Sequence, residues 1–350
     1  ISGSTNDSVV TFDAVSQNSV GQHAFKTDGT ERVRIDESGN VGIGTDDPNE
    51  KLTVSGAVSA LSGYCSDANS NSKFGTSALN GLTSGTNNTA IGRNALTSTT
   101  SGKYNTATGD GTLQDNTTGC LNTGDGYHAL ACNTTANLNT AVGACALYIN
   151  TTGGGNAAVG GNSLKANTTG TYNSSLGFEA LRSNTTACYN VAVGTYSLYD
   201  STTGTRNVAI GNHALFESTT GNYNTAVGSF AGKNNTEGED NVWMGYSTGH
   251  DSTTGDKNVG IGNCALRSTT SGCNNSAVGT CSLFCNTTGL DNTSIGFVAM
   301  RVNTTGCLNV AVGRGALTAN TTANNNTAVG ACSLYANTTG TVATAVGFKA

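Results

Sequence analysis

The sequence predicts an all-β fold, a parallel β-solenoid or β-roll built from coils of 17 residues. A glycine recurs every 17 residues from Gly75 to Gly347 without insertion or deletion, which gives 17 copies. The residues before each glycine alternate between large and small side chains, as a strand does. The composition (48 glycines, 11% charged, 6% aromatic) is too poor in bulky side chains for a large globular core.

The composition also excludes other classes. No apolar run approaches the roughly 20 residues that a transmembrane helix needs, so we expect no membrane insertion. A net charge of only −6 and a single proline are unlike most disordered polar segments. A chain this polar can fold if a strict repeat stacks on itself.

We number the repeat from its glycine, position 0. From position −4 the consensus is Asn-Thr-Ala-Val-Gly-x-x-Ala-Leu-x-x-Asn-Thr-Thr-Gly-x-x. Asn fills position −4 in 16 of 17 copies, a bulky apolar residue fills −1 in 15, and Leu fills +4 in 13 of the 16 complete copies. An unbroken period indicates that every residue of the unit has a fixed place.

Each stretch of the unit has an expected conformation. Thr-Ala-Val is predicted to be a strand, and Ala-Leu a second short strand with the same contrast of size. Glycine permits the positive φ of a sharp corner, and Asn-Thr-Thr-Gly has turn chemistry. We interpret the Asn-Thr-Thr triplets as turns rather than as glycosylation acceptors; they begin at Asn116, Asn133, Asn150, Asn167, Asn184, Asn286, Asn303, Asn320 and Asn337.

Stacking at the strand spacing of about 4.8 Å would make 17 coils a rod roughly 80 Å long. The column at −4 is expected to form a ladder of amides that bond from coil to coil. We therefore assign structural roles to the repeated residues, among them Asn88, Asn105, Asn139, Asn207, Asn258, Asn309, Gly92, Gly143, Gly211 and Gly313.

So short a coil encloses little. We expect the Val or Ile at −1 and the Leu at +4 to point inward, with help from position −3, while the Ala at −2 faces outward. Other chains would have to pack against that face of small residues, so we predict a parallel homotrimer about the rod axis.

The amino-terminal segment differs from the shaft. Residues 1–60 hold 13 of the 38 charged residues, the only proline and no copy of the repeat. Residues 9–12 and 31–35 are predicted strands, and 27–29 and 37–40 are predicted turns. Residues 61–70 form a Ser/Asn-rich join to the solenoid of residues 71–350.

Two resemblances follow from these segments. Residues 27–36, 39–45 and 51–54, together with Pro48, resemble a segment common in bacteriophage tail-fibre proteins. The unit Asn-x-Ala-Val/Ile-Gly-x-x-Ala/Ser is similar to the head repeats of YadA-type trimeric autotransporter adhesins, left-handed parallel β-rolls that assemble as trimers. Both imply trimeric extracellular rods that contact surfaces. The last unit stops three residues after its glycine, so we expect a fragment or a processed product.

Little in the sequence suggests reaction chemistry. The 11 cysteines include no Cys-x-x-Cys pair, which argues against zinc. Cys264 and Cys281 stack one period apart, near enough for a disulfide, yet small reduced side chains are the alternative that we favour. No histidine pair, nucleotide loop or paired carboxylate is evident, so we expect no enzyme, no metal, no cofactor and no nucleic-acid partner.

Two features are candidate partner contacts. Between residues 229 and 257 the Leu column changes to glycine and charge clusters, while tyrosines elsewhere recur close to the next unit's Asn. The alternatives are a degenerate coil for the first and simple packing for the second. The candidate residues are Trp243, Glu239, Asp240, His250, Tyr104, Tyr172, Tyr189 and Tyr223.

The sequence therefore predicts the shaft of a trimeric phage tail fibre, located on the virion and contacting a host cell-surface glycan or protein and other tail or surface proteins. A trimeric adhesin on a bacterial surface is the alternative. An ice-binding solenoid and a depolymerase are further classes, and the missing carboxylate pair argues against the second.

Overall fold

A computed structural model of the chain describes residues 11–14, 22–48, 51–54 and 69–350. The chain divides into two compact units, Ile1–Tyr64 and Cys65–Ala350. The regular secondary structure of the described residues consists of β-strands alone. Within those ranges there is accordingly no helix of the length and apolarity that would cross a membrane.

The first unit holds one five-stranded sheet, whose strands pair in sequence order. The first three pairings are antiparallel and the last is parallel. The strands are β1 (Thr11–Ala14), β2 (His23–Thr27), β3 (Thr30–Ile35), β4 (Val41–Ile43) and β5 (Leu52–Val54).

Both predicted turns of this unit are confirmed. Asp28 and Gly29 join β2 to β3 with φ of 52° and 73°, the left-handed pair of a tight hairpin. After β3, the carboxylate of Asp36 accepts the backbone N–H groups of Ser38 (2.9 Å) and Asn40 (2.8 Å). The predicted strand 31–35 lies within β3, whereas residues 9 and 10 of the other predicted strand lie outside the described residues.

The second unit is a parallel β-solenoid, as predicted. Each of its strands is three residues long and pairs in register with the strands 17 residues away, as Val191 does with Val208. The strands are β6 (Ser72–Phe74), β7 (Thr89–Ile91), β8 (Thr106–Thr108), β9 (Thr123–Asp125), β10 (Thr140–Val142), β11 (Ala157–Val159), β12 (Ser174–Leu176), β13 (Val191–Val193), β14 (Val208–Ile210), β15 (Thr225–Val227), β16 (Val242–Met244), β17 (Val259–Ile261), β18 (Ser276–Val278), β19 (Thr293–Ile295), β20 (Val310–Val312), β21 (Thr327–Val329) and β22 (Thr344–Val346).

The predicted second strand at Ala-Leu is wrong. Positions +3 and +4 lie in a turn, and the leucine there has a positive φ, 53° at Leu96 and 51° at Leu147. Position +2 is also left-handed, as at Asn94 with φ of 58°. These reversals bend the chain back on itself within a few residues, so each coil closes with one strand.

The predicted orientation of the strand is also wrong. Ala90 and Leu96 are fully buried, whereas Ile91 is 45% exposed. The coil interior is filled by the leucine side chain and by asparagines from both sides, so only a small residue fits at −2. The larger residues at −3 and −1 therefore face outward.

The amide ladder at −4 is confirmed, and Asn207 shows its bonds. Its backbone N–H donates to Oδ1 of Asn190 (2.9 Å), and its own Oδ1 accepts the N–H of Asn224 (2.9 Å). Its Nδ2 donates to the carbonyl oxygen of Gly221 (2.8 Å). One buried side chain thus satisfies backbone groups of two neighbouring coils, where an unpaired group would be costly.

A second amide ladder runs along position +7. In it, Nδ2 of Asn150 donates to Oδ1 of Asn133 (2.9 Å) and to the carbonyl oxygen of Gly153 (2.9 Å). Most of the Asn-Thr-Thr asparagines are fully buried in this ladder, which fits a structural role and leaves their amides closed to glycosylation; the fully buried ones are Asn116, Asn133, Asn150, Asn167, Asn184, Asn286, Asn303 and Asn320.

Serine interrupts this second ladder at the successive coils of Ser201 and Ser218, and Ser252 and Thr269 interrupt it again after Asn235. Oγ of Ser201 and of Ser218 are buried without a hydrogen-bond partner, as are Oδ1 of the flanking Asn184 and Asn235. We expect the double change Ser201→Asn and Ser218→Asn to extend the ladder from Asn184 to Asn235 and to raise the free energy of unfolding by about 1 to 3 kcal/mol. Urea unfolding followed by circular dichroism measures the change.

The control for that prediction is Thr203→Asn, at an exposed position of the same turn. It adds an amide without a ladder to join, so we expect little change. A double variant that is no more stable than this control would contradict the prediction.

Candidate functional site

Trp243 lies inside the solenoid and not on a contact surface. It occupies position −2 of β16 and is 1% exposed. Its ring fills the space that leucine leaves at Gly232 and Gly249, since a Cβ added at either glycine would overlap the indole. The irregular stretch is thus a compensated core, in which one large residue replaces two leucines.

The charged candidate residues near Trp243 do not form one cluster. Glu239 and Asp240 are exposed, and Glu239 accepts a hydrogen bond from Nδ2 of Asn222 (2.7 Å). His250 is half-buried at position +5, where its Nδ1 lies 2.6 Å from Oδ1 of Asp251. No hydrogen bond or ion pair among the described residues joins His250 to either acid.

Three of the four candidate tyrosines form a ladder at position +12. The rings of Tyr172 and Tyr189 stack with centroids 5.3 Å apart and an angle of 10°. Arg206 then lies between the rings of Tyr189 (5.5 Å) and Tyr223 (5.4 Å), and its Nη1 donates to the hydroxyl of Tyr223 (2.8 Å). Tyr104 is exposed four coils away. Arg206 could have been found from the sequence, because it falls in the same column.

This ladder presents edges and not faces. The rings of Tyr172 and Tyr189 cover one another at the coil spacing, and the Arg206 guanidinium covers the next face. A sugar ring stacks on an aromatic face, so the inner rings offer it only their edges and hydroxyl groups. The ladder therefore stabilises the stack more than it provides a platform.

A larger aromatic group was missed by the sequence reasoning. Its rings lie at positions +1, +2 and +5 of successive coils and contact one another, with Tyr199 stacked on Phe216 at 5.0 Å. Reading these columns for aromatic residues would have found it. Its members are Phe178, Tyr196, Tyr199, His213, Phe216, Phe230, Tyr246 and His250.

Titratable groups near these rings are shifted mainly by burial. Burial lowers the pKa of His213, and the positive charge of Lys233 lowers it further. Burial raises the pKa of Asp200, as does the charge of Glu217, while Arg182 opposes them. These directions follow from partial removal of charge from water.

The outer face of the shaft sheet carries a column of exposed apolar side chains. Side chains of positions −3 and −1 point outward along β6–β22, and the −1 residues are 36% exposed at Val142 and 51% at Leu176. The strip is one strand wide, about 10 Å for three residues. From β10 to β22 position −1 is apolar at every coil, and an exposed apolar column of this length is typical of an interaction surface.

The described residues offer no metal centre. They contain no group of three or more His, Cys, Asp or Glu side chains that could hold a metal ion. The ten cysteines among them are unpaired, including Cys264 and Cys281. Burial raises the pKa of the Cys264 thiol, and Cys281 adds to the shift.

Comparisons of the chain with protein-family models, with curated proteins and with solved structures find no match.

Proposed function

We propose that this chain is a shaft segment of a trimeric surface fibre of the phage tail-fibre type, which attaches the particle to a host cell surface. In this role the solenoid is a rigid spacer and adhesive surface, without catalysis. Its partners are two further copies of the chain, other tail proteins, and a glycan or protein on the host. A trimeric adhesin on a bacterial surface has the same architecture and is the alternative.

The observation that carries the proposal is the apolar outer strip of β6–β22. Bulky apolar residues fill its −1 column in 15 of the 17 coils, so a second copy placed in register meets like residues at nearly every level. Removing such a strip from water is favourable by about 25 cal/mol per Å². Three strips, each about 10 Å wide, can close around one axis as a triangular prism.

The internal ladders support the spacer role. Hydrogen bonds join each coil to the next, both between the paired strands and within two columns of buried asparagines. A stack in which each unit contacts only its neighbours is extended by construction. The resemblance of the amino-terminal segment to tail-fibre proteins favours a fibre protein over an ice-binding protein.

Light scattering of the full chain tests the assembly. We expect a mass three times the 35.1 kDa of one chain. Ile210→Asp and Ile261→Asp together should reduce it to one chain without loss of the β-sheet circular dichroism, because Asp125 already occupies this outward column. Asn212→Asp, at an exposed position, is the matched control.

A monomeric parent chain would contradict the trimer. If a solution of such a monomer also showed thermal hysteresis, the strip would be an ice-binding surface and the proposed attachment function would be wrong. Adsorption of the labelled trimer to a panel of bacterial cells tests attachment. Adsorption to none of them, or equal adsorption to protein-free beads, would contradict the proposed adhesion.

A further inference from the structure

Two cysteines of the shaft lie one above the other. Cys264 and Cys281 both occupy position +2, in two successive coils. Both are half-buried free thiols. Among the described residues they are the only cysteines that share a column in adjacent coils, since Cys145 and Cys332 of the same column have other residues beside them.

The backbone holds the two cysteines in the same conformation. Their φ angles are 54° and 53°. The N–H of Cys281 donates to the carbonyl oxygen of Asn263 (2.9 Å), the residue before Cys264, and the strands that precede them, β17 and β18, pair in register. The two Cα atoms are therefore about one strand spacing apart, about 4.8 Å. That separation is within the range of about 4.4 to 6.8 Å that a disulfide spans.

The electrostatics of the two thiols also place them close together. Burial raises the pKa of Cys264, the negative charge of the Cys281 thiolate raises it further, and Arg267 opposes both effects. The interaction between two charges weakens with distance, so its presence indicates that the two sulfur atoms are near one another.

The sulfur atoms of the pair are not engaged elsewhere in the fold. Cysteines at position +11 are different: Sγ of Cys188 accepts the N–H of Thr171 (3.3 Å), and Sγ of Cys307 accepts the N–H of Leu290 (3.3 Å). Within the ranges that the structure describes, the thiols of the +2 pair have no such hydrogen bond. Joining them would therefore break no existing contact of either sulfur.

We infer that Cys264 and Cys281 form a disulfide between neighbouring coils in the presence of a small oxidised disulfide such as oxidised glutathione, and that they return to thiols in a reducing medium. One protein thiolate attacks oxidised glutathione, which releases one glutathione and leaves a mixed disulfide. The second protein thiolate attacks this mixed disulfide and releases the other glutathione. In sum, two protein thiols are oxidised to one disulfide, and one oxidised glutathione is reduced to two glutathione thiols that carry the two hydrogens.

The disulfide would cross-link residues 17 positions apart and would oppose local opening of the two coils. A cross-link of this kind restricts the conformations of the opened state. The pairing rests on the stacking of the coils alone. Only the change of medium, from a reducing cell interior to an oxidising exterior, rests on the proposed location at a surface.

Peptide mapping by mass spectrometry tests the inference on the full chain. The protein is reduced, separated from the reductant and incubated with oxidised glutathione at about pH 8.5, where thiolates are populated; the remaining thiols are then alkylated. We expect a linked pair of peptides that joins Cys264 to Cys281, is lighter by two hydrogens and disappears after treatment with dithiothreitol. Hydrogen exchange in β17 and β18 should slow by about tenfold or more in the oxidised protein.

The chain offers a negative and a positive control for the geometry. Cys273 and Cys307 share a column but lie two coils apart, about 10 Å, which exceeds the limit of about 7 Å for a disulfide. They should therefore remain unlinked. Asn162→Cys places a thiol one coil after Cys145, in the column of the proposed pair and with φ of 55° and 56° at the two positions. This variant should form a second disulfide.

The variant Cys264→Ser separates the effect of the disulfide from that of oxidised glutathione itself. In this variant we expect no linked peptide and no change of hydrogen exchange on oxidation. Alkylation of both Cys264 and Cys281 in the oxidised parent protein, a bond from Cys281 to Cys285 in their place, or a bond between two chains would overturn the inference.

The mass of the oxidised protein by light scattering separates this test from that of the proposed function. A trimer without the linked peptide rejects the disulfide and leaves the shaft intact. A monomer with the linked peptide rejects the trimer and leaves the disulfide intact.

Discussion

Replacement of Gly211 by alanine should cost the shaft about 4 kcal/mol or more of local stability. Gly211 has φ of 137°, a conformation that L residues rarely adopt, and an added Cβ would lie 2.5 Å from the carbonyl oxygen of Gly228 in the next coil. That oxygen belongs to backbone fixed in the stack, so it cannot move aside as the end of a flexible side chain could.

Hydrogen exchange is the appropriate measurement, because a repeat array opens locally. Exchange should accelerate in β14 and β15 first, since these strands flank the altered corner. Gly161→Ala is the matched control: its Cβ would meet only the Phe178 ring at 3.5 Å, and alanine occurs naturally in that column at Ala144. Equal protection in the two variants would contradict the steric argument.

The register of the shaft could be predicted from the sequence because the period is unbroken. Once a glycine recurs every 17 residues, identical columns must stack, and a buried column of asparagines must then bond from coil to coil. The positive φ of Gly211 and the ladder at Asn207 follow from this argument without any coordinates.

The inward face of the strand could not be predicted from hydrophobicity. Val and Ile are more apolar than Ala, yet volume decides the orientation, since the leucine and the two ladders leave room only for a small residue. The sequence did contain a signal: position −1 tolerates Asp125 and Thr108, as an exposed column does. The left-handed leucine at Leu96 has no such signal, because its conformation is imposed by closure of the coil.

The prediction of partner-contact residues was partly wrong because it, too, ignored how side-chain volume decides which residues face inward. Trp243 suggested an exposed irregularity because it stands among charged residues, but the loss of leucine at Gly232 and Gly249 is what accompanies a large core residue. The sequence reveals that a larger residue at −2 compensates for smaller residues at +4 only if the side chains of these two positions are already known to face one another.

That compensation predicts strong coupling between Trp243 and its two glycines. Trp243→Ala alone should leave a large cavity and destabilise the shaft by about 3 to 5 kcal/mol. Gly232→Leu alone should destabilise it by about 1 to 3 kcal/mol or more, because the added side chain overlaps the indole.

The three changes Trp243→Ala, Gly232→Leu and Gly249→Leu together should recover most of that loss, to within about 1 kcal/mol of the parent protein. They recreate the core found in the coil of Gly211, directly before the irregular stretch, where Ala209 and Leu215 are fully buried. Urea unfolding of the single and triple variants measures the coupling.

Leu198→Gly with Leu215→Gly, which opens two neighbouring coils that hold no tryptophan, is the control and should be strongly destabilising. If the triple variant were less stable than Trp243→Ala alone, the indole would not be filling the space of the two leucines. A recovered triple variant would show that the shaft selects the total volume of its core across adjacent coils, so that the repeat can vary in sequence while its stack stays in register.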